Sequence, residues 1–198
     1  MAARTALFVI DIQNELAVDD DTRIPHAERI RNSGEKMIQA ARMAIDSYRE
    51  KGETSPFIIV FVQHEDSSLI VGSKPWELVF KPRTDVEQEI LIPKKTPDTF
   101  ESNPDLALQL RALNVEEIVV FGLQSEYCVE KTCKGALIAG FKVTLLAGAH
   151  STYDTSEKTA LDIEKEVEER LNSRGVQIVS WEKLSFTKMY RTLYSGSA

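Results

Sequence analysis

Cys128 is the residue best suited to covalent chemistry. It falls in the first turn of a predicted helix, within GLQSEYCVEKT (Gly122 to Thr132). A helix N-terminus offers unpaired backbone N–H groups and the positive end of the helix dipole. Both favour the thiolate, the nucleophilic form of cysteine, and the same N–H groups can hold an oxyanion on the attacked carbon. Ser125 is a natural N-cap for this helix. The alternative role is packing, because free cysteine is among the most buried residue types; Cys133, deeper in the helix, fits that role. Five helical steps set the two cysteines about 140° apart, poor geometry for a disulfide. With no CxxC motif either, a reducing, cytoplasmic setting is expected.

Asp11 directly follows the first predicted strand. It is either a general base toward the thiol or a cap for the next turn. Lys94 and Lys95 follow the third strand. They are either surface charge or the source of a cation that holds Asp11 ionised and stabilises negative charge on a substrate. His64 stands beside Glu65 and Asp66, but adjacent residues in an extended segment point to opposite faces, which suits a shared metal poorly. His150, in GAHSTYD, either lines a pocket or bonds locally in a turn.

The elements that must position these groups alternate. Short apolar runs at Ala6–Ile10, Phe57–Val62, Ile90–Ile92, Ile118–Phe121, Val143–Leu146 and Val176–Val179 read as strands. Between them lie helical patterns at about 26–51, Asp105–Leu113, Glu126–Ala139 and Ser156–Asn172. Continuous β-branched strands separated by helices predict a mostly parallel six-stranded sheet with helices on both faces. The expected fold is therefore α/β, a Rossmann-like three-layer sandwich, over one domain spanning 1–198. In such folds ligands bind beyond the carboxyl ends of the strands, where Asp11, the lysine pair and Cys128 all fall. The irregular stretch from Glu65 to Glu89 is long enough to suggest a functional loop.

Charge and motifs narrow the function. A formal net charge of −7 argues against nucleic acid as a partner, since phosphate binding needs clustered Lys and Arg. The N-terminal apolar run stops at Asp11 with no signal-peptide pattern, and no run approaches the ~20 residues of a membrane span. No GxGxxG or GxxxxGK[ST] run follows a strand. A small-molecule substrate is expected.

Four segments, in order, resemble the isochorismatase-like cysteine hydrolases, the superfamily that includes nicotinamidases. They are DIQN (Asp11–Asn14), IPKKTPDTF (Ile92–Phe100), GLQSEYCVEKT and GFKVTLLAGAHSTYD (Gly140–Asp154). The resemblance implies a triad of Asp11 as base, Cys128 as nucleophile and Lys94, six residues before Phe100, with Lys95 as the other option. It implies a cis Leu123–Gln124 peptide that presents the Gln124 N–H to an oxyanion hole. It also implies hydrolysis of a C–N bond in a small amide through a thioester, and a homo-oligomer, dimer or tetramer. Gln13, Trp76, Phe100, Tyr127, His150 and Tyr153 are the expected pocket residues. Nicotinamidases carry an Asp-x-His and a second histidine that bind metal; here the stretch reads Gln63-His64-Glu65, so no metal or other cofactor is expected and nicotinamide is not the expected substrate. Isochorismatases that cleave a vinyl ether generally lack the cysteine, so that reaction is the alternative, beside a binding protein that keeps the fold.

Overall fold

The computed structural model describes residues 3–183; the ends of the expected 1–198 domain lie outside them. The elements are β1 (Arg4–Ile10), α1 (Asn14–Ala17), α2 (Ala27–Glu50), β2 (Phe57–His64), β3 (Glu89–Lys94), α3 (Thr99–Ser102), α4 (Leu106–Ala112), β4 (Val115–Leu123), α5 (Glu130–Ile138), β5 (Lys142–Ser151), α6 (Ala160–Asn172) and β6 (Gln177–Ser180). A π-helical turn, Ser125–Val129, precedes α5, and a 3₁₀ turn, Trp181–Lys183, follows β6. The sheet has six strands in the order β3-β2-β1-β4-β5-β6. Every pairing among the described residues of this sheet is parallel.

Alternation along the strands builds two cores. Ala6, Phe8 and Ile10 of β1 face one side, with Leu110 of α4, Cys133 of α5 and Val167 of α6. Leu7 and Val9 face the other, with Ile30, Met37, Ile38, Ala41 and Ile45 of α2. Because β1 is buried on both faces, its sequence reads as an unbroken apolar run rather than an alternating one. No helix among the described residues is long and apolar enough to cross a membrane.

Three departures from the sequence reading have local causes. β5 runs to Ser151, past Leu146, because the ladder shifts register after Val120 and resumes at Gly122↔His150 and Leu123↔Ser151. α6 starts at Ala160, where Thr159 and Asp162 form a reciprocal capping box. The helix read over Glu126–Ala139 opens instead with the π-helical turn, in which the Val129 N–H reaches back to the Gln124 carbonyl at 3.1 Å.

The strand order reverses between β1 and β4. Such a switch point is where open α/β sheets leave a crevice. Asp11 leaves the carboxyl end of β1, and Gln124 leaves that of β4. Gly122 lets these two ends approach closely: its φ is +132°, and a Cβ there would sit 2.1 Å from the Ile10 carbonyl oxygen. No side chain fits at that distance.

Candidate active site

Lys94 is the last residue of β3, two strands away from β1. With neighbouring strands about 4.8 Å apart, only a long side chain can cross the end of β2 and reach β1. Lys94 does so, fully buried, and its Nζ lies 2.7 Å from Asp11 Oδ2 and 3.1 Å from Cys128 Sγ. Lys95 points outward, paired with Glu65 at 3.2 Å. Of the two lysines, Lys94 is the one that reaches Asp11 and Cys128.

Asp11 adopts φ +46°, a left-handed conformation that costs about 1–2 kcal/mol for most residues and is visited more readily by Asp and Asn. The turn directs its buried carboxylate toward Cys128 instead of along the strand. Oδ1 of this carboxylate is buried and receives no hydrogen bond. Oxygen of Asp11, ring nitrogen of His64 and Sγ of Cys128 all lie within 4.8 Å of one another.

Burial pushes the Cys128 thiol up to about 12; the Asp11 charge adds to the rise and Lys94 opposes it. This corrects the expectation of a thiolate stabilised by the helix end. The resting group is a thiol, and it needs a base to become a nucleophile. Burial lowers the affinity of Lys94 for its proton, but Asp11 and Cys128 more than offset this, so Lys94 is held above the ordinary lysine value and stays charged.

Asp11, Cys128, Leu123, Gln124, Tyr127 and Tyr153 line a cavity of about 380 Å³. The Leu123–Gln124 peptide is cis. Glu15, His64 and Asp66 also line it, and no arginine or lysine does. Sequence reasoning missed Glu15 and Leu16 of α1, which the chain must place beside the pocket because α1 starts three residues after Asp11.

The other expected pocket residues sit elsewhere. Gln13 is fully buried and staples the end of β2: its amide donates to the His64 and Trp76 carbonyls at 2.9 and 2.8 Å, and accepts from the His64 N–H. Trp76 thereby anchors the long loop rather than lining the cavity. Phe100 stacks on Phe8 at 6.2 Å between ring centres and meets Phe141, inside the core. His150 is fully buried behind the π-helical turn. Its Nδ1 shares a 2.8 Å hydrogen bond with Ser125 Oγ and its Nε2 faces Glu168 at 3.3 Å. Ser125 therefore braces the turn through His150 and does not cap it with its side chain.

The segment that follows Lys94 and helix α5 are fastened together. Thr132 Oγ1 accepts from the Thr99 N–H at 3.2 Å and bonds the Thr99 hydroxyl at 2.8 Å. A Cβ at Gly135 would fall 2.3 Å from Asp98, so that glycine lets α5 close onto the segment carrying Lys94.

A cation does not fit among Asp11, His64 and Cys128, because the Lys94 ammonium already touches all three. Gln63, where nicotinamidases have an acid, turns its amide to the Trp76 carbonyl at 2.9 Å.

Comparison with known proteins places the chain in a family. The isochorismatase domain model matches residues 5–182. Streptothricin hydrolase from Streptomyces noursei is 28% identical over 175 residues, 87% of this chain and 58% of that protein; the chain thus spans little more than half its length. The crystal structure of a cysteine hydrolase from Pseudomonas syringae pv. phaseolicola 1448A superposes with TM-score 0.76 at 20% identity, over 97% of this chain and 93% of that one. Pyrazinamidase of Pyrococcus horikoshii, solved in complex with zinc, gives TM-score 0.65 at 25% identity over 89% and 99%. With a family model spanning nearly all the described residues and the same fold in these neighbours, the chain belongs to the isochorismatase family of hydrolases.

Proposed function

We propose that this protein is a cysteine-dependent hydrolase that cleaves a C–N bond in a small amide through a thioester. The observation that carries the reading is one buried ammonium, that of Lys94, touching both Asp11 and Cys128, which themselves line a cavity. Asp11 takes the thiol proton as Sγ bonds to the carbonyl carbon. The N–H groups of Gln124 and Cys128 hold the oxyanion, and Lys94 balances the negative charge left by proton transfer. Protonated Asp11 then gives its proton to the nitrogen as the C–N bond breaks and ammonia or amine leaves. Water, deprotonated by Asp11, attacks the thioester, and thiol and carboxylic acid result. Two similar proteins, streptothricin hydrolase and pyrazinamidase, bear the names of nitrogen-containing substrates.

Vinyl-ether hydrolysis of an isochorismate-like acid is less well served. Glu15 and Asp66 face the cavity, no arginine or lysine lines it, and the Lys94 charge is already matched by Asp11. A dianionic substrate would find no counter-charge there. The test is release of ammonia or amine from a panel of neutral, cationic and anionic amides, with Cys128→Ala as control. Turnover of neutral or cationic amides that vanishes in the variant is the expected result. Amine release that survives it, or no release from any amide while an anionic vinyl ether assayed in parallel is cleaved, would sink the proposal.

A further inference from the structure

His64 occupies a place that the triad chemistry does not assign. It ends β2, in register with Lys94 on β3, so the lysine side chain passes it on the way to β1. An ammonium has three N–H donors and no acceptor. The Lys94 ammonium meets Asp11 Oδ2 at 2.7 Å, Cys128 Sγ at 3.1 Å and His64 Nδ1 at 3.1 Å. The count of donors and partners closes with His64 and would leave one buried N–H unsatisfied without it.

The tautomer follows from the same contacts. Facing a donor that has no lone pair, Nδ1 of His64 must accept and carries no proton. The ring proton is therefore on Nε2, which lies 3.2 Å from Asp66 Oδ2. Asp66 is itself fixed: its Oδ1 accepts from the Ser68 and Leu69 N–H groups and from the Ser68 hydroxyl. The backbone of His64 is held on both sides by the Gln13 amide. A continuous chain thus runs from the loop after β2 to the nucleophile.

We propose that His64, oriented by Asp66, is a positioning residue that directs the Lys94 ammonium at Cys128, an inference that rests on the amide-hydrolase reading for its catalytic purpose. With two donors committed to Asp11 and His64, the third can point only at sulfur. The charge that stabilises the forming thiolate is then in place before the proton leaves. A histidine that merely walled the pocket would alter substrate binding and nothing else.

The test reads the thiol without a substrate, so it stands apart from the search for one. The rate of Cys128 alkylation by iodoacetamide is followed by intact mass from pH 6 to 10 in the wild-type protein, His64→Ala, His64→Asn and Lys94→Met, and in Lys94→Met combined with His64→Ala. The Asn side chain can return an acceptor oxygen near the position of Nδ1. Expected is a drop of about fivefold or more at neutral pH in His64→Ala, recovery to within about twofold in His64→Asn, and no added effect of His64→Ala once Lys94 is gone. An unchanged or faster rate in His64→Ala, an Asn variant no better than Ala, or the same drop in the Lys94→Met background would overturn the inference. Should His64→Ala not fold, a His64→Asn protein with its alkylation profile displaced from wild type by more than about fivefold overturns it as well. If this pattern appears but no amide is ever turned over, the positioning role stands and the amide reading falls.

Discussion

Asp11→Asn separates two roles of one carboxylate. In the folded protein the thiol of Cys128 is held near 12, with burial as the main cause and the Asp11 charge next. At pH 7.5 the thiol form then greatly predominates. Asp11 oxygen lies within 4.8 Å of Sγ. Two unit charges at that distance in an effective dielectric of about 20 interact by about 3.5 kcal/mol, which corresponds to a change of about 300-fold in thiolate population. Removing the charge while keeping the shape leaves Lys94 paired mainly with sulfur. The variant should therefore hold more thiolate than wild type. Alkylation by a small haloacetamide at pH 7.5, followed by intact mass, should accelerate, by about 10-fold at least and about 300-fold at most, because general-base help from Asp11 in the wild type narrows the contrast. Amide hydrolysis should fall by about 100-fold or more, since no group remains to carry the proton to the leaving nitrogen. The same variant thus becomes a better thiolate and a worse enzyme. Alkylation equal to or slower than wild type, in a protein with an unchanged Tm, would refute the claim that the Asp11 charge keeps the thiol protonated. Unchanged hydrolysis would refute its role as base.

Three further outcomes follow from the geometry. Gly122→Ala places a Cβ 2.1 Å from the Ile10 carbonyl, so β1 and β4 must part; a loss of about 3 kcal/mol or more in chemical denaturation is expected, with loss of activity even in the fraction that folds. Glu89, buried at the start of β3, accepts from Arg42 and Arg83; burial alone would raise its carboxyl, but these donors more than offset it and hold it below the ordinary glutamate value. Its contribution is present above the unfolded-state value near 4.3 and is lost as pH falls toward the folded one. Glu89→Ala should therefore cost about 2–3 kcal/mol at pH 6, allowing for the part-exposed arginines, and the difference from wild type in urea midpoints should shrink by pH 3. Thr159→Ala removes the capping box of α6 and should cost about 1 kcal/mol in thermal unfolding, with activity intact.

The elements were largely legible because a doubly covered parallel sheet writes itself as apolar runs between amphipathic helices. β1 and β2 bury nearly every residue, and their runs stand out for that reason. β5 was read short because Gly148, at φ +77°, interrupts its apolar pattern where the ladder changes register. The start of α6 was written in Thr159 and Asp162, but the charged residues before it hid the boundary. At the site, Asp11 and Lys94 were legible as polar residues at strand ends and Cys128 as a cysteine in the first turn after one, and the fold brings them to one edge. The roles of Gln13 and His150 were not, because both act through the backbone or through a buried hydroxyl, contacts that residue type alone does not encode. Phe100 was among the expected pocket residues, yet α3 turns it into the core against Phe8. His64 was weighed only as a metal ligand beside Glu65 and Asp66; Asp66 does meet its ring, but the contact with Lys94, thirty residues on, was not legible.

The most direct measurement is a search for the acyl-enzyme. The protein is mixed with an amide from the panel that it turns over, quenched in acid within a turnover, and the peptide holding Cys128 is weighed. The account predicts an added acyl mass on Cys128, removed by hydroxylamine and absent from Cys128→Ala, together with loss of amine release in that variant. Steady amine release by Cys128→Ala, with no adduct on the wild-type cysteine, would contradict it.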